Sequence, residues 1–237
     1  MHIQSKQWKK SLSALCISFD LPFCQTLLDC LALYATELLA WNEKTNLTSI
    51  TEASEVAEKH MLDSLIPGKY IQSELSGSEI SLLDIGSGGG FPGIPLKIFL
   101  PHLHVTMIDS VRKKVNFLKY VIRTLNLNGI DAIHTRVEDL AGQKDFAGQF
   151  DVVISRAFTS LERFLALAIP FIKPDGMIIA MKGKDAQTEL DKMISQKIGP
   201  ERYQINNHQI AVHMEYYTLP TSGSARALVI AKKSSTD

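Results

Sequence analysis

The chain has 237 residues, is 45% hydrophobic, and balances 25 Lys and Arg against 25 Asp and Glu. That suits one packed α/β domain with an appendage and excludes a disordered chain. With no net charge to draw a polyanion or a membrane surface, any nucleic-acid contact must come from local basic clusters. No apolar run approaches the roughly 18 residues of a membrane span. The start, MHIQSKQWKK, lacks the apolar core of a signal peptide, so a cytosolic protein is expected. Cys16, Cys24 and Cys30 are odd in number and form no CxxC, and read as reduced, buried thiols.

From the start to about Tyr70 the pattern is helical. In CQTLLDCLALYATELLAW the residues Leu27, Leu31, Tyr34, Leu38 and Trp41 recur at gaps of four and three, on one helical face. NEKTNLTS reads as a loop, with Asn46 a turn residue. TEASEVAEKHMLDSLI reads as a second helix capped by Thr51. Pro67-Gly68 and SELSGSE then mark a boundary, which divides a helical lobe (1–75) from a second unit (76–237).

Beyond the boundary the period changes. LLDI (82–85), LHVTMI (103–108), IDAIH (130–134), FDVVIS (150–155) and MIIAM (177–181) are short strand-like runs with room for helices between them. VRKKVNFLKYVIRTLN supplies one such helix, with Val111, Val115, Leu118, Ile122 and Leu125 on a common face, and its Arg112-Lys113-Lys114 run on the solvent side. Strands alternating with helices predict a parallel sheet covered on both faces. QIAVHMEYYTL and RALVIA are joined by PTSGSA, too short for a crossover helix, and predict a closing antiparallel hairpin. The tail SSTD is expected to fray.

The most informative stretch is LLDIGSGGGFPGIP, residues 82–95. Gly86, Gly88 and Gly90 follow a strand at alternate positions. There they remove Cβ atoms from the first strand-to-helix turn and let a nucleotide-like ligand approach the backbone amides. Pro92 and Pro95 suit the first turn of the following helix. The pattern departs from the dinucleotide fingerprint GxGxxG, because Phe91 fills the slot of the third glycine. Asp84 would repel a pyrophosphate there but suits an ammonium group. Asp109, ending the second strand, can accept from two ribose hydroxyls or cap the next helix. After the third strand, Val137 and Glu138 would flank an adenine as apolar wall and as acceptor for its amine.

LDIGSGGG resembles the first motif of S-adenosylmethionine-dependent methyltransferases. WNEKTNLT, KHMLDSL, LLDIGSGGGFPGIPLKI, IDSVRKKVNFL, RVED, SRAF and MKGK, in that order, resemble the bacterial small-subunit ribosomal RNA guanine-N7 methyltransferase family, the RsmG or GidB type. The likeness runs from about Trp41 to the end. It implies a Rossmann-like class I methyltransferase sheet, S-adenosyl-L-methionine as cofactor, and cofactor positions at Gly86, Phe91, Val137, Glu138 and Arg156. It further implies 16S rRNA or the small ribosomal subunit as partner, with a guanine of the decoding-region loop as target. No membrane partner is expected, and the enzyme is expected to be a monomer.

The residues point the same way partly through what is missing. Methylation of an exocyclic amine uses an Asn/Asp-Pro-Pro-aromatic motif after the fourth strand, where this chain has Ser155-Arg156-Ala157-Phe158. Pyrimidine C5 chemistry needs a cysteine nucleophile, and no cysteine follows Cys30. Guanine N7 carries a lone pair and no proton, so its methylation needs no general base, only alignment in a dry pocket. Arg156, Lys182 and Arg226 are therefore assigned to phosphates, guanine O6 or the cofactor rim; Lys184 in MKGK holds a similar position to Lys182. Arg226 alternatively only solubilises a sheet edge. Phe158 or Phe91 would stack on a flipped base. His60 and Asp63, a helical turn apart, brace the helical lobe; with no third ligand nearby, no metal is expected. The competing readings are a small-molecule methyltransferase and a non-catalytic nucleotide-binding or NAD-dependent protein.

Overall fold

The computed structural model describes residues 2–75, 77 and 79–233. The frayed tail expected at 234–237 lies outside them, and the expected boundary falls beside Ser76 and Ser78, which also do. Helix α1 (Lys6–Ile17) starts at Ser5, whose side chain accepts from the Trp8 N–H; α2 (Gln25–Thr45) ends at Asn46 in the left-handed conformation, as a turn residue there requires. In α2, Leu27, Leu31, Tyr34 and Leu38 are buried as their spacing predicts. The next helical run, α3 (53–65), begins one residue later than expected: Glu52, not Thr51, is the N-cap, and no side chain caps it. Its middle, Val56–Leu62, is π-helical, between α-helical Ala53–Glu55 and Asp63–Leu65. Pro67-Gly68 does not break the chain. Pro67 opens α4 (Pro67–Glu74), where its missing N–H costs nothing, and a Cβ on Gly68 would lie 2.7 Å from the Phe99 ring.

The strands are β1 (Ile80–Ile85), β2 (Leu103–Asp109), β3 (Ile130–His134), β4 (Phe150–Arg156), β5 (Ile172–Gly183), β6 (Lys197–Gly199), β7 (Arg202–Ile205), β8 (His208–Thr218) and β9 (Ala225–Lys233). They form one sheet in the order β3-β2-β1-β4-β5-β9-β8-β7-β6. The first five are parallel, and β8 and β9 form the antiparallel hairpin, with β9 beside β5. β6 and β7 were not read from the sequence: they are three and four residues long and extend the sheet beyond β8.

Alternation along the strands sorts the core into two clusters. Leu82, Val105, Val152, Ile154 and Ile179 pack with the helices of residues 6–74 on one face. Leu83, Ile85, Val153, Ile178 and Ala180 pack with helix Leu161–Ala168 on the other. The helix expected after β2 is Arg112–Thr124, but its buried stripe is Val115, Phe117, Leu118 and Val121. Val111, expected on that face, is the 44% exposed N-cap residue, because the helix starts only after it. Of the cysteines only Cys16 is fully buried; Cys24 is exposed at the start of α2 and Cys30 is half-buried, so the expectation of three buried thiols is corrected.

Candidate functional site

The glycine turn follows β1 directly. Gly86, Gly88 and Gly90 all have positive φ, at 71°, 56° and 98°, the region that side chains with a Cβ rarely adopt. The Gly88 N–H donates to Asp109 Oδ2 at 2.9 Å, and the Val111 N–H to Asp109 Oδ1 at 2.8 Å. One carboxylate thus ties the turn after β1 to the turn after β2: Asp109 accepts from the N-cap residue of the next helix and also faces the crevice. From the helical lobe, the buried Tyr34 hydroxyl donates to the Gly89 carbonyl.

A cavity of about 480 Å³ opens at the carboxyl ends of β1, β2 and β3, where ligands of open α/β sheets lie. Gly86, Asp109, Val137 and Glu138 line it, as their positions predicted. Lys114, from the run read as merely solvated, lines it too, and Arg163 on its wall pairs with Glu138 at 3.2 Å. Other expected residues are placed elsewhere. Gly88 and Gly90 shape the turn without lining the cavity. Asp84 lies fully buried beneath the turn, with Oδ2 accepting from the Gly93 N–H at 2.9 Å and Oδ1 without a hydrogen-bond partner among the described residues. Burial pushes its carboxyl up to about 8, the Gly93 bond and Arg156 pulling the other way. It supports the turn from behind instead of facing a ligand's ammonium.

Phe91 is also buried, at 4% exposure, and stacks on His60 with ring centroids 4.3 Å apart. It has no face left for a flipped base, so of the two aromatic candidates only Phe158 remains. The Phe158 ring is 38% exposed and covers Gly86, where an added Cβ would lie 2.4 Å from Cδ2.

Arg156 leaves the end of β4 on the side of the helical lobe. Its Nη1 donates to the Lys59 carbonyl at 2.9 Å and its Nη2 to His60 Nδ1 at 3.1 Å, while the guanidinium carbon sits 4.5 Å above the Phe91 ring. Asp63, 3% exposed, accepts from the Tyr217 hydroxyl at 2.8 Å and stands 3.8 Å from Arg156 and 3.5 Å from Arg226. Burial raises its carboxyl above the usual range, offset in part by Arg156. These groups surround a second cavity, about 340 Å³, that also reaches Lys182. Arg226 is not an edge residue: β9 lies between β5 and β8, and the guanidinium turns toward Asp63. Lys182 is spoken for as well, since its Nζ donates to the Thr159 carbonyl and to Glu189. Lys184 is exposed.

Sequence reasoning missed Glu58 altogether and, for His60 and Asp63, missed the partners. All three are buried on α3, and Glu58 accepts from the N–H groups of Thr221 and Ser222 in the loop joining β8 to β9. The signal was there in principle, as charged residues inside an apolar stretch, but their partners are remote in the chain. They brace the lobe, as expected of His60 and Asp63, by fastening it to Arg156 and the β8–β9 hairpin. A π-helical segment at this point fits the tendency of such segments to occur at functional sites.

Comparison with known proteins decides the family. The model for GidB, rRNA small subunit methyltransferase G, matches residues 28–209. The chain belongs to that family. A ribosomal RNA small subunit methyltransferase G from Geobacter sp. (strain M21) is 43% identical over 207 residues, 86% of this chain and 87% of the relative. One from Streptococcus suis (strain 05ZYH33) is 41% identical over 206 residues, 84% and 80% of the two chains. Among solved structures, M. jannaschii TYW2 in complex with AdoMet superposes with a TM-score of 0.52 over 72% of this chain and 75% of its own, at 19% identity, which supports the fold. The residues matched by the family model include the glycine turn, Asp109, Val137, Glu138, Arg156 and Lys182, and end before Arg226.

Proposed function

We propose that the protein transfers a methyl group from S-adenosyl-L-methionine to N7 of a guanine in 16S rRNA. The observation that carries this reading is the 480 Å³ cavity at the glycine turn, set in a chain of the rRNA methyltransferase G family. The residues present fit the cofactor. Asp109 spends one lone pair of each oxygen on Gly88 and Val111, and a carboxylate has about four acceptor sites, which leaves capacity for two ribose hydroxyls. Val137, 5% exposed, offers an apolar wall for an adenine beside the acceptor Glu138. Gly86 contributes a wall with no Cβ. When bound, the cofactor supplies a methyl group on a positively charged sulfur.

The chain's own residues then have no proton to move, because guanine N7 has none to lose. Both carboxylates on the cavity wall serve as hydrogen-bond acceptors, Asp109 from two amides and Glu138 from Arg163, with their remaining acceptor capacity assigned to the cofactor. His60, the buried imidazole nearby, is committed to Arg156 and Thr48. What remains is to hold donor and acceptor in line and to exclude water, the work of a pre-formed cavity. No helix among the described residues is long and apolar enough to cross a membrane.

The test is transfer of labelled methyl groups from S-adenosylmethionine to small-subunit RNA and to 30S particles, with the product mapped by strand cleavage at N7-methylguanine. Label at a single guanine N7 is expected. Label on an exocyclic amine or a pyrimidine carbon overturns the N7 assignment, and tight NAD binding with no transfer overturns the whole reading.

A further inference from the structure

A third cavity, about 780 Å³, lies at the carboxyl ends of β4 and β5. It shares only Ala157 and Phe158 with the cavity at the glycine turn, so Phe158 is the partition between the two. Ala157, the residue before it, holds φ at +51°, a conformation that a non-glycine residue adopts at a cost of about 1–3 kcal/mol. An exposed aromatic face between two cavities is a platform on which any nucleobase can stack.

On a wall of the third cavity that is not shared with the first stands Glu189. Its Oε2 accepts from the Leu161 N–H at 2.6 Å and from Lys182 Nζ at 2.8 Å, which fixes the carboxylate, and its Oε1 makes no hydrogen bond among the described residues. Lys182 is anchored in turn on the Thr159 carbonyl at 2.6 Å. With Oε2 taken by two donors, the carboxylate is fixed and presents Oε1 alone, whose two lone pairs can accept from a pair of adjacent N–H donors.

Guanine has such donors, N1–H and the 2-amino group, on the edge opposite N7. A guanine that presents N7 to the first cavity therefore turns those donors away from it, toward the far wall of the third. Adenine in the same pose would bring the lone pair of N1 against the carboxylate. We propose that the third cavity is the acceptor-base site, that the target guanine stacks on Phe158, and that Glu189 selects guanine through N1–H and the 2-amino group. The inference rests on the N7 reading above and names the residue that makes it specific.

The experiment compares kcat/KM on RNA carrying guanine or inosine at the methylated position; inosine keeps N7 and N1–H and lacks the 2-amino group. The wild-type protein should lose about tenfold to a hundredfold on inosine, the value of a hydrogen bond to a charged group. Glu189→Gln should lose a similar factor on guanine and discriminate only a few-fold, with unchanged S-adenosylmethionine affinity. Asp185→Asn, on the same cavity's rim, should discriminate like the wild type. Equal use of inosine and guanine by the wild-type protein, which no folding defect can explain, overturns the assignment, as does full discrimination by Glu189→Gln. Absence of any transfer to the guanine RNA would instead overturn the N7 reading beneath it.

Discussion

Arg156 Nη2 donates to His60 Nδ1 at 3.1 Å, so the imidazole that receives it is neutral, with its Nε2–H directed at Thr48 Oγ1 2.7 Å away. Burial first, and the guanidinium second, lower the His60 pKa from 6.5 to about 3. A folded-state pKa below the unfolded one means the unfolded chain binds the extra proton. The contribution to stability is then complete above pH 6.5 and is lost as the pH falls toward 3. Denaturant unfolding as a function of pH should show stability falling over that window, and His60→Gln should flatten the fall. An unchanged slope in the variant would mean that His60 is not held neutral.

Asp84 has the opposite sign. Its carboxyl is raised from 3.8 to about 8, so the folded state holds the proton in the intervening range. This contribution is complete below pH 3.8 and is lost as the pH rises through 8. Asp84→Asn keeps an acceptor for the Gly93 N–H and carries no charge, and should lose less stability than the wild type as the pH rises from 3.8 to 8. Equal loss of the two proteins over that window counts against a buried, protonated Asp84.

Asp63 is the carboxylate set among Arg156, Arg226 and the Tyr217 hydroxyl. Asp63→Asn leaves two partly buried guanidinium groups with no counter-charge at this point, and removal of one partner from a buried pair costs about 3–5 kcal/mol. Chemical denaturation should show a loss of that order. A loss below about 1 kcal/mol, the range of surface ion pairs, would show that solvent screens the cluster.

Gly86→Ala separates fold from function. At φ +71° the alanine is strained by about 1–2 kcal/mol, and its Cβ displaces the Phe158 ring, which is exposed enough to move. Thermal denaturation should therefore still show a cooperative fold, while calorimetry should find S-adenosylmethionine affinity reduced at least about tenfold. Undiminished affinity would place the ligand away from this turn.

Much of the fold was legible in the sequence because its signals are local. The strand runs, the helical period of α2, the glycines after β1 and the short link between β8 and β9 all act within a few residues, through sterics and side-chain alternation. The same holds for Asp109, Val137 and Glu138, whose place at strand ends is set by the order of the elements. The short β6 and β7 escaped notice because three or four residues carry too little period to read.

The sequence by itself determined where the parallel strands lie, where the turn that can approach a nucleotide stands, and which kind of methyl acceptor the missing motifs leave open. Only the tertiary structure decided which polar groups meet. Arg156 and His60 are 96 residues apart in the chain, Tyr217 and Asp63 154, and Thr221 and Glu58 163. It was folding, too, that set Asp84 beneath the turn, buried Phe91 against His60 and left Phe158 between two cavities. The physical reason is that backbone preference is settled by near neighbours, whereas a buried charge or ring takes its partner from whatever the packed core brings to it.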